Sequence, residues 1–488
     1  MTGNYIVSDN DIVSVIKRET AACSENIAVV SGDLQVTYRR LLAAADRIAD
    51  HLRALGAKER DRVALCCEDS VDYIALALAV LGMGAVIVPV SDSLSDDEVA
   101  DALERVDTHW FIYDVRLHPS RGGDPVPPEM LYGRECRVES RVVNGAGVPD
   151  AYDRMDPAFI RFSSGTTGTS KGVLLTHAAI VDRTAAADKV LAMTPDDTVA
   201  WVLSMSYHFV VSILLFLRRG ARIVLCTGSF PKSLLETFEN RTCSLIYASP
   251  FHYRVMTYSD AFKPNWFENV RLAISTAVNL PGKLAADFAG KFGTELAQAY
   301  GLIEVGLPFI NASGDPSRRG SVGQLLPDYQ AKILDPDDKG VGKVALKGKG
   351  LFDAYYAPWR ERTEVAQDGW FVSGDLGYLT EDGYLFLVGR QNDVINAAGM
   401  KVFPYEVEAV LNRFPNIKES LVYSIPHDDY GELPGARIVL QHPEHGISMN
   451  DLRRFCYEHL ATFEVPKTFE IVGALEKTAS GKLRRNAT

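Results

Sequence analysis

Apolar positions along the first 113 residues change period in a regular way. Helical spacing marks Ile12-Val13-Ile16 and then Tyr38 to Leu55, with Thr37 placed to cap the second helix. Between them, Val29-Val30-Ser31-Gly32-Asp33 reads as a short hairpin. Continuous apolar runs then alternate with helical ones: strand Arg62 to Cys66, helix Ser70 to Leu81, strand Ala85 to Val90, helix Ser95 to Val106, strand Trp110 to Tyr113. Strands alternating with helices predict a parallel sheet with helices on both faces.

Residues 115–157 are rich in Pro, Gly, Arg and Asp, without a period, and are expected to be irregular. Beyond them the α/β alternation resumes. It has a helix from His177 to Val190, strand Ala200–Leu203, an apolar helix Val210 to Leu217, strand Arg222–Leu225, helix Lys232–Phe238, strand Leu245–Ala248 and strand Leu272–Ile274. From Ala331 to Leu387 the chain alternates apolar and polar residues between glycines, which predicts a small β-rich subdomain. A boundary is placed at 391–393, followed by helices Pro404–Phe414 and Met449–Leu460 and strands Ser420–Ser424 and Ala436–Gln441. The expected fold is α/β. A large domain, 1–391, holds doubly wound subdomains and the β-rich one, and a small α+β domain, 392–488, follows.

Composition narrows the function. At 488 residues the chain exceeds one hydrophobic core. A net charge of −12 argues against nucleic acid or an anionic membrane as a partner. Seven scattered cysteines, with no Cys-x-x-Cys pair, fit reduced thiols in a cytoplasmic protein better than a disulfide framework or a zinc site. Tyr73 to Val90 is uncharged, but Gly82, Gly84 and Pro89 interrupt it, so a helix, a turn and a buried strand are expected rather than a membrane span. The N-terminus carries Asp9 and Asp11 and no signal-peptide pattern.

The chemistry centres on Ser163-Ser164-Gly165-Thr166-Thr167-Gly168-Thr169-Ser170-Lys171-Gly172, between two apolar runs. Three glycines let the backbone approach a ligand, and six hydroxyls, exposed amides and one lysine suit phosphate oxygens. The spacing is not that of a Walker A loop, in which Ser or Thr follows Gly-Lys. Downstream come Ser275-Thr276-Ala277-Val278-Asn279, Tyr300-Gly301-Leu302-Ile303-Glu304, Ser373-Gly374-Asp375, Gly389-Arg390, and Lys477-Thr478-Ala479-Ser480-Gly481-Lys482.

In this order the motifs resemble those of the adenylate-forming superfamily: acyl- and aryl-CoA synthetases, peptide-synthetase adenylation domains and firefly-type luciferases. The resemblance covers nearly the whole chain and is nearest to an AMP-forming acyl-CoA synthetase. It implies that Ser163 to Thr169 and Lys171 bind the phosphates of ATP. Thr276, Ala277, Val278 and Asn279 would lie along adenine, and Tyr300 and Gly301 would pack on it. Glu304 would hold Mg²⁺, and Asp375 and Arg390 would hold the ribose. Lys482 would be the catalytic lysine, Asn392 the hinge of a mobile C-terminal domain, and Gly399 part of the tunnel for the thiol arm. His208 would be the aromatic gate between acyl pocket and ATP.

Two positions depart from the pattern, Ile303 for the usual Thr and Asn392 for the usual Asp or Lys. The acid pocket is expected among Tyr207, His208, Phe209, Ser212, Phe251, Ser275 and Gly301, with little charge, which favours an apolar or aromatic carboxylic acid. Ser206 to Val211 contains no acid to hold an α-amino group. The implied reaction forms acyl-AMP and pyrophosphate from ATP and then a thioester. The acceptor is coenzyme A or, as the alternative, the phosphopantetheine of a separate carrier protein, none being fused before Thr488. A non-catalytic adenylate-binding module is a third reading, raised by Ile303 and Asn392.

Overall fold

The computed structural model describes residues 11–143, 149–162, 171–397, 400–427, 431–477 and Leu483. Three sheets organise them. In a nine-stranded sheet the adjacent strands run, by residue, 360–361, 354–355, 172–176, 157–162, 86–89, 62–66, 110–114, 136–140 and 124–125. A thirteen-stranded sheet has at its centre the parallel strands 296–302, 272–275, 245–248, 198–201, 222–225 and 27–31. A five-stranded sheet holds 400–402, 395–397, 431–440, 417–427 and 468–471.

Local chemistry starts the helices where the pattern places them. Thr37 accepts from the Arg40 amide at the head of Tyr38–Ala54. Ser70 does the same for Tyr73 in Val71–Gly82, and Ser95 with Glu98 forms a capping box on Asp96–Val106. The uncharged stretch is the fully buried helix Val71–Gly82, a turn with Gly84 at φ +77°, and strand Val86–Pro89. Among the described residues no helix is long and apolar enough to cross a membrane.

Two expectations are corrected and a third is refined. The segment expected to be irregular contains strand Cys136–Ser140, which pairs antiparallel with Trp110–Asp114 and carries the edge strand Asp124–Pro125 of the nine-stranded sheet. The expected β-rich stretch is present and is continuous with the main sheet. Its strands, Tyr329–Leu334, Gly342–Gly348, Phe371–Leu379 and Tyr384–Arg390, extend the thirteen-stranded sheet through Gly323–Leu325. The apolar helix expected from Val210 to Leu217 is three pieces: an α turn Met205–His208, a π turn Phe209–Ile213 and an α turn Leu214–Arg218. Apolar periodicity senses which face is buried and cannot distinguish a local change from α to π winding.

Candidate functional site

Strands Pro157–Phe162 and Gly172–Thr176 pair antiparallel, with Phe162 opposite Gly172, so the Ser/Thr/Gly-rich stretch connects the two arms of a hairpin. Ser163, Ser164, Gly165, Thr166, Thr167, Gly168 and Thr169 themselves lie outside the described residues, as do Gly399 and Lys482. What surrounds the stretch is described. Ala354–Tyr355 adds to the Gly172–Thr176 arm, with Tyr355 opposite Val173. The Lys171 ammonium sits 4.9 Å from the centre of the Tyr355 ring, and the Tyr355 hydroxyl is 3.4 Å from Glu304 Oε1. Burial and, after it, the Glu304 carboxylate push the Tyr355 hydroxyl well above its ordinary pKa. Three segments far apart in sequence thus converge at the foot of this hairpin.

The second cluster is tighter. Asp375 and Arg390 are directly opposite each other on neighbouring antiparallel strands, and Arg390 Nε is 3.3 Å from Asp375 Oδ1. The Tyr300 hydroxyl, at the end of Leu296–Leu302, donates to Asp375 Oδ2 at 2.5 Å. The Asp375 amide donates to Ser373 Oγ, which in turn donates to the Val344 carbonyl. Burial, and then Asp375, hold the Tyr300 hydroxyl protonated far above its usual range. Burial lowers the Arg390 pKa, but Asp375 together with Tyr405, Asp393 and Tyr300 outweighs it, and the net shift is upward. A carboxylate has about four lone-pair positions, and these contacts use two, so Asp375 retains room for two further donors. That is the requirement for holding a vicinal diol.

Beside this cluster, Ser275 and Thr276 end a parallel strand, with the Thr276 amide bonded to the Ala248 carbonyl. Ala277 has φ +75°, a left-handed conformation that costs a residue with a Cβ roughly 1–2 kcal/mol. Val278 is half-buried, and Asn279, exposed, accepts from Gln298. A Cβ on Gly301 would lie 2.9 Å from the Gly306 carbonyl, so the turn back into Gly306–Asn311 needs glycine there.

The predicted acid pocket is only partly assembled as expected. Tyr207 and His208 sit at the junction of the α and π turns, and the His208 ring is edge-on to Trp201 at 6.1 Å. Trp201 stacks on Tyr247 at 5.5 Å, and the Tyr247 hydroxyl lies beside Ser212 and Thr276. The hydroxyls of Ser212 and Ser275 and the indole N–H of Trp201 are buried without a hydrogen-bond partner among the described residues. Phe209 packs inward, edge-on to Tyr73 at 5.7 Å. Phe251 is 55% exposed against Phe230 and His252, which places it at a mouth rather than in a buried wall. Asn392 is exposed in the short turn Gln391–Asp393 that leads into the third sheet.

Sequence reasoning missed Arg161, Tyr355 and Asp69. Arg161 ends the strand before the Ser/Thr/Gly-rich stretch. It donates to the Tyr207 carbonyl and lies over the Tyr207 ring at 5.6 Å. Burial lowers its pKa while Glu304 pulls it up, and its Nε has no partner among the described residues. The signal was present: a charge inside the otherwise apolar run Ala158-Phe159-Ile160-Arg161-Phe162. Asp69 accepts the Met205 amide with oxygens at 2.9 and 3.2 Å.

A family model described as "AMP-binding enzyme" matches residues 16–356, and one for the "AMP-binding enzyme C-terminal domain" matches 406–482. The chain belongs to the AMP-binding enzyme family. Its relatives include the 3-hydroxybenzoate–CoA/4-hydroxybenzoate–CoA ligase of Thauera aromatica, 25% identical over 94% of this chain and 93% of that one. Another is the long-chain-fatty-acid–CoA ligase FadD13 of Mycobacterium tuberculosis, 27% identical over 93% and 92%. In fold it matches ATP-bound MatB from Rhodopseudomonas palustris, with a TM-score of 0.83 and 24% identity over 97% of each chain. It also matches the o-succinylbenzoate CoA synthetase MenE from Bacillus subtilis in complex with its acyl-adenylate intermediate, with a TM-score of 0.81 and 24% identity over 97% of each.

Proposed function

We propose that this chain is an AMP-forming acid–thiol ligase that activates an acyl or aryl carboxylic acid with ATP and transfers the acyl group to coenzyme A. The observation that carries this reading is the Tyr300–Asp375–Arg390 cluster, a buried carboxylate held rigid by two partners with two acceptor positions left. The Lys171–Tyr355–Glu304 group adds a cation and a carboxylate at the foot of the hairpin that carries the Ser/Thr/Gly-rich stretch in sequence. The CoA-ligase names of the relatives support the two half-reactions.

In the first half-reaction a carboxylate oxygen attacks the α-phosphorus of ATP, and the bond to pyrophosphate breaks. Two anions approach each other, so cations at the reacting centre lower the barrier. Lys171 serves the departing phosphates and Lys482 the carboxylate and α-phosphate. Glu304 suits Mg²⁺: among the described residues no cluster of three potential ligands exists, and Mg²⁺ is commonly held by one carboxylate plus substrate phosphates and water. When bound it neutralises phosphate charge. In the second half-reaction a thiolate sulfur attacks the acyl carbon and AMP leaves, a far better leaving group than hydroxide.

The two domains, 1–391 and 392–488, turn about Asn392 between the half-reactions, so that Lys482 and the Gly399 segment take turns at the site. Trp201, Tyr247 and His208 favour an apolar or aromatic body, and the unpartnered Ser212 and Ser275 hydroxyls favour a polar substituent on it. Ser206 to Val211 carries no acid, and Asp69 is turned to the Met205 amide, which favours an acid without an α-amino group.

Pyrophosphate exchange across a library of carboxylic acids tests the first step. Exchange with at least one aryl or acyl acid is expected, and none with any acid overturns the reading. Supplying the accepted acid with free CoA, or with a pantetheinylated carrier protein, distinguishes the acceptors. AMP release with CoA alone is the expected result.

A further inference from the structure

The turn that carries Tyr207 and His208 follows strand Thr198–Trp201 of the thirteen-stranded sheet, but its polar anchors come from the segments of the other sheet. At one end Asp69, three residues past strand Arg62–Cys66, accepts the Met205 amide. At the other, Arg161 of strand Pro157–Phe162 donates Nη1 to the Tyr207 carbonyl and lies against the Tyr207 ring. Between the two anchors, Tyr73 of helix Val71–Gly82 presses its ring against Phe209. The winding changes from α to π at the next step.

Each contact has a physical reason to matter. The Met205 amide begins a four-residue turn and has no carbonyl partner within it, so an ionised acceptor is its strongest available bond. A guanidinium is planar and forked, so it can bond a carbonyl and stack on a ring at once, which an ammonium cannot. A π turn is an uncommon local winding and frequently marks a functional site. Here it begins directly after His208 and includes Ser212, one of the two unpartnered hydroxyls.

We propose that Asp69 and Arg161 are positioning residues for the acid half of the site. They clamp the Ser204–Phe209 segment from both ends, fix where Tyr207 and His208 stand, and so set the fit of the carboxylic acid while leaving the nucleotide cluster untouched. The effect on catalysis rests on the ligase reading. The clamp does not.

Two measurements on the full chain test this. The first is hydrogen exchange at one fixed pH, comparing wild type with Asp69→Ala, Arg161→Met and the double variant. Residues 204–213 should exchange about tenfold faster in each single variant, with Tyr300, Asp375 and their strands unchanged. The double variant should be little faster than the worse single, because both anchors hold one segment. Unchanged exchange over 204–213, or acceleration spread evenly over the chain, overturns the clamp. Asp69→Leu and Arg161→Gln repeat the comparison if the first variants do not fold, with Asp69→Asn as the rescue control. Asp69→Asn, which keeps an acceptor, should recover most of the protection.

The second measurement is steady-state kinetics with an accepted acid. KM for the acid should rise about fivefold or more, the loss of a bond worth roughly 1 kcal/mol, while KM for ATP stays within about twofold. Equal effects on both substrates would show general damage and overturn the proposal. If no acid supports turnover in wild type, the ligase reading falls and the exchange result still decides the clamp.

Discussion

The two halves of the site are built on opposite principles. Around Asp375 the carboxylate and its strand are paired: Tyr300 and Arg390 on the carboxylate, Ser373 on the backbone, Val344 behind Ser373, with Gln298 Oε1 on the Tyr300 strand the one nearby exception among the described residues. Around His208 the buried hydroxyls of Ser212 and Ser275 and the Trp201 indole have none among the described residues. A satisfied network is rigid and ready for one unchanging ligand. Unpaired buried polar atoms cost about 1–3 kcal/mol each and persist where a ligand or water completes them. On the proposed function, the Asp375 cluster is paired before its nucleotide binds, whereas the acid side keeps hydroxyls for its substrate to complete.

The largest expected effect tests whether the halves meet at a cation carried by the C-terminal part of the chain. Lys482→Ala should slow acyl-AMP formation by roughly 10²–10³-fold, the usual loss for one preorganised charged contact. Thioester formation from supplied acyl-AMP should stay nearly normal. Two single-turnover assays on the same variant decide it, and equal losses in both would count against a lysine that acts in only one domain orientation.

Next comes the rigidity of the nucleotide half. Asp375→Asn keeps the shape but removes the charge that holds Arg390 and two hydroxyls. A loss of about 1.5–3 kcal/mol predicts a roughly 10- to 100-fold rise in KM for ATP, with KM for the acid little changed. Tyr300→Phe removes only one bond to Asp375 and should cost less. An equal rise for both substrates would erase the distinction between the halves.

The same contrast explains what the sequence revealed. The residues proposed for the nucleotide stood out because they sit in short motifs: Ser373-Gly374-Asp375, Gly389-Arg390, Tyr300 to Glu304. Their pairing was not legible, because Asp375 meets Arg390 only through strand register. On the acid side even the participants were obscure. Asp69, Tyr73, Arg161 and Tyr247 reach the gate from four separate elements, and no spacing along the chain encodes that meeting. Phe251 is expected in the pocket as one of its aromatic residues, yet in helix Pro250–Tyr258 it is 55% exposed. The α/β alternation was readable throughout, since burial of strands and amphipathic helices is a local property. The joining of the β-rich stretch to the main sheet depends on one strand, Gly323–Leu325, too short to carry a period.

Asp69 sharpens the comparison through pH. Burial, helped by Asp92 and Glu68 and opposed by the Met205 amide, raises its carboxyl from the ordinary 3.8 to about 7. Glu68 is itself paired with Arg116 and Arg134, and the Tyr73 hydroxyl is pushed up by burial and then by Asp69. The folded state thus keeps a proton that the unfolded chain has already lost. This contribution to stability is complete below about pH 4, declines as pH rises, and is gone above about pH 7. Asp69→Asn stays neutral throughout. It should raise unfolding stability at pH 8 by roughly 2–4 kcal/mol and change it little at pH 4. Urea unfolding at the two pH values measures this, and an equal shift at both would exclude a titrating carboxyl. The anchor of the gate would then be a charge kept at the expense of stability.

The smallest effect addresses the unpartnered hydroxyls directly. If Ser275 Oγ waits for a substrate, its removal should help the empty protein and harm only the acid. Ser275→Ala deletes a buried group without a partner, so the ligand-free chain should gain up to about 1 kcal/mol. With an acid bearing a hydroxyl or carbonyl on its body, KM should rise about fivefold. With the matching acid that lacks that group it should stay the same or fall. ATP should bind as before, since the Asp375 carboxylate is held by Tyr300 and Arg390. Comparing the two acids in the variant and in wild type isolates the hydroxyl. An equal change for both acids would mean that Ser275 only fills space, and that the acid half, like the nucleotide half, is complete before its ligand arrives.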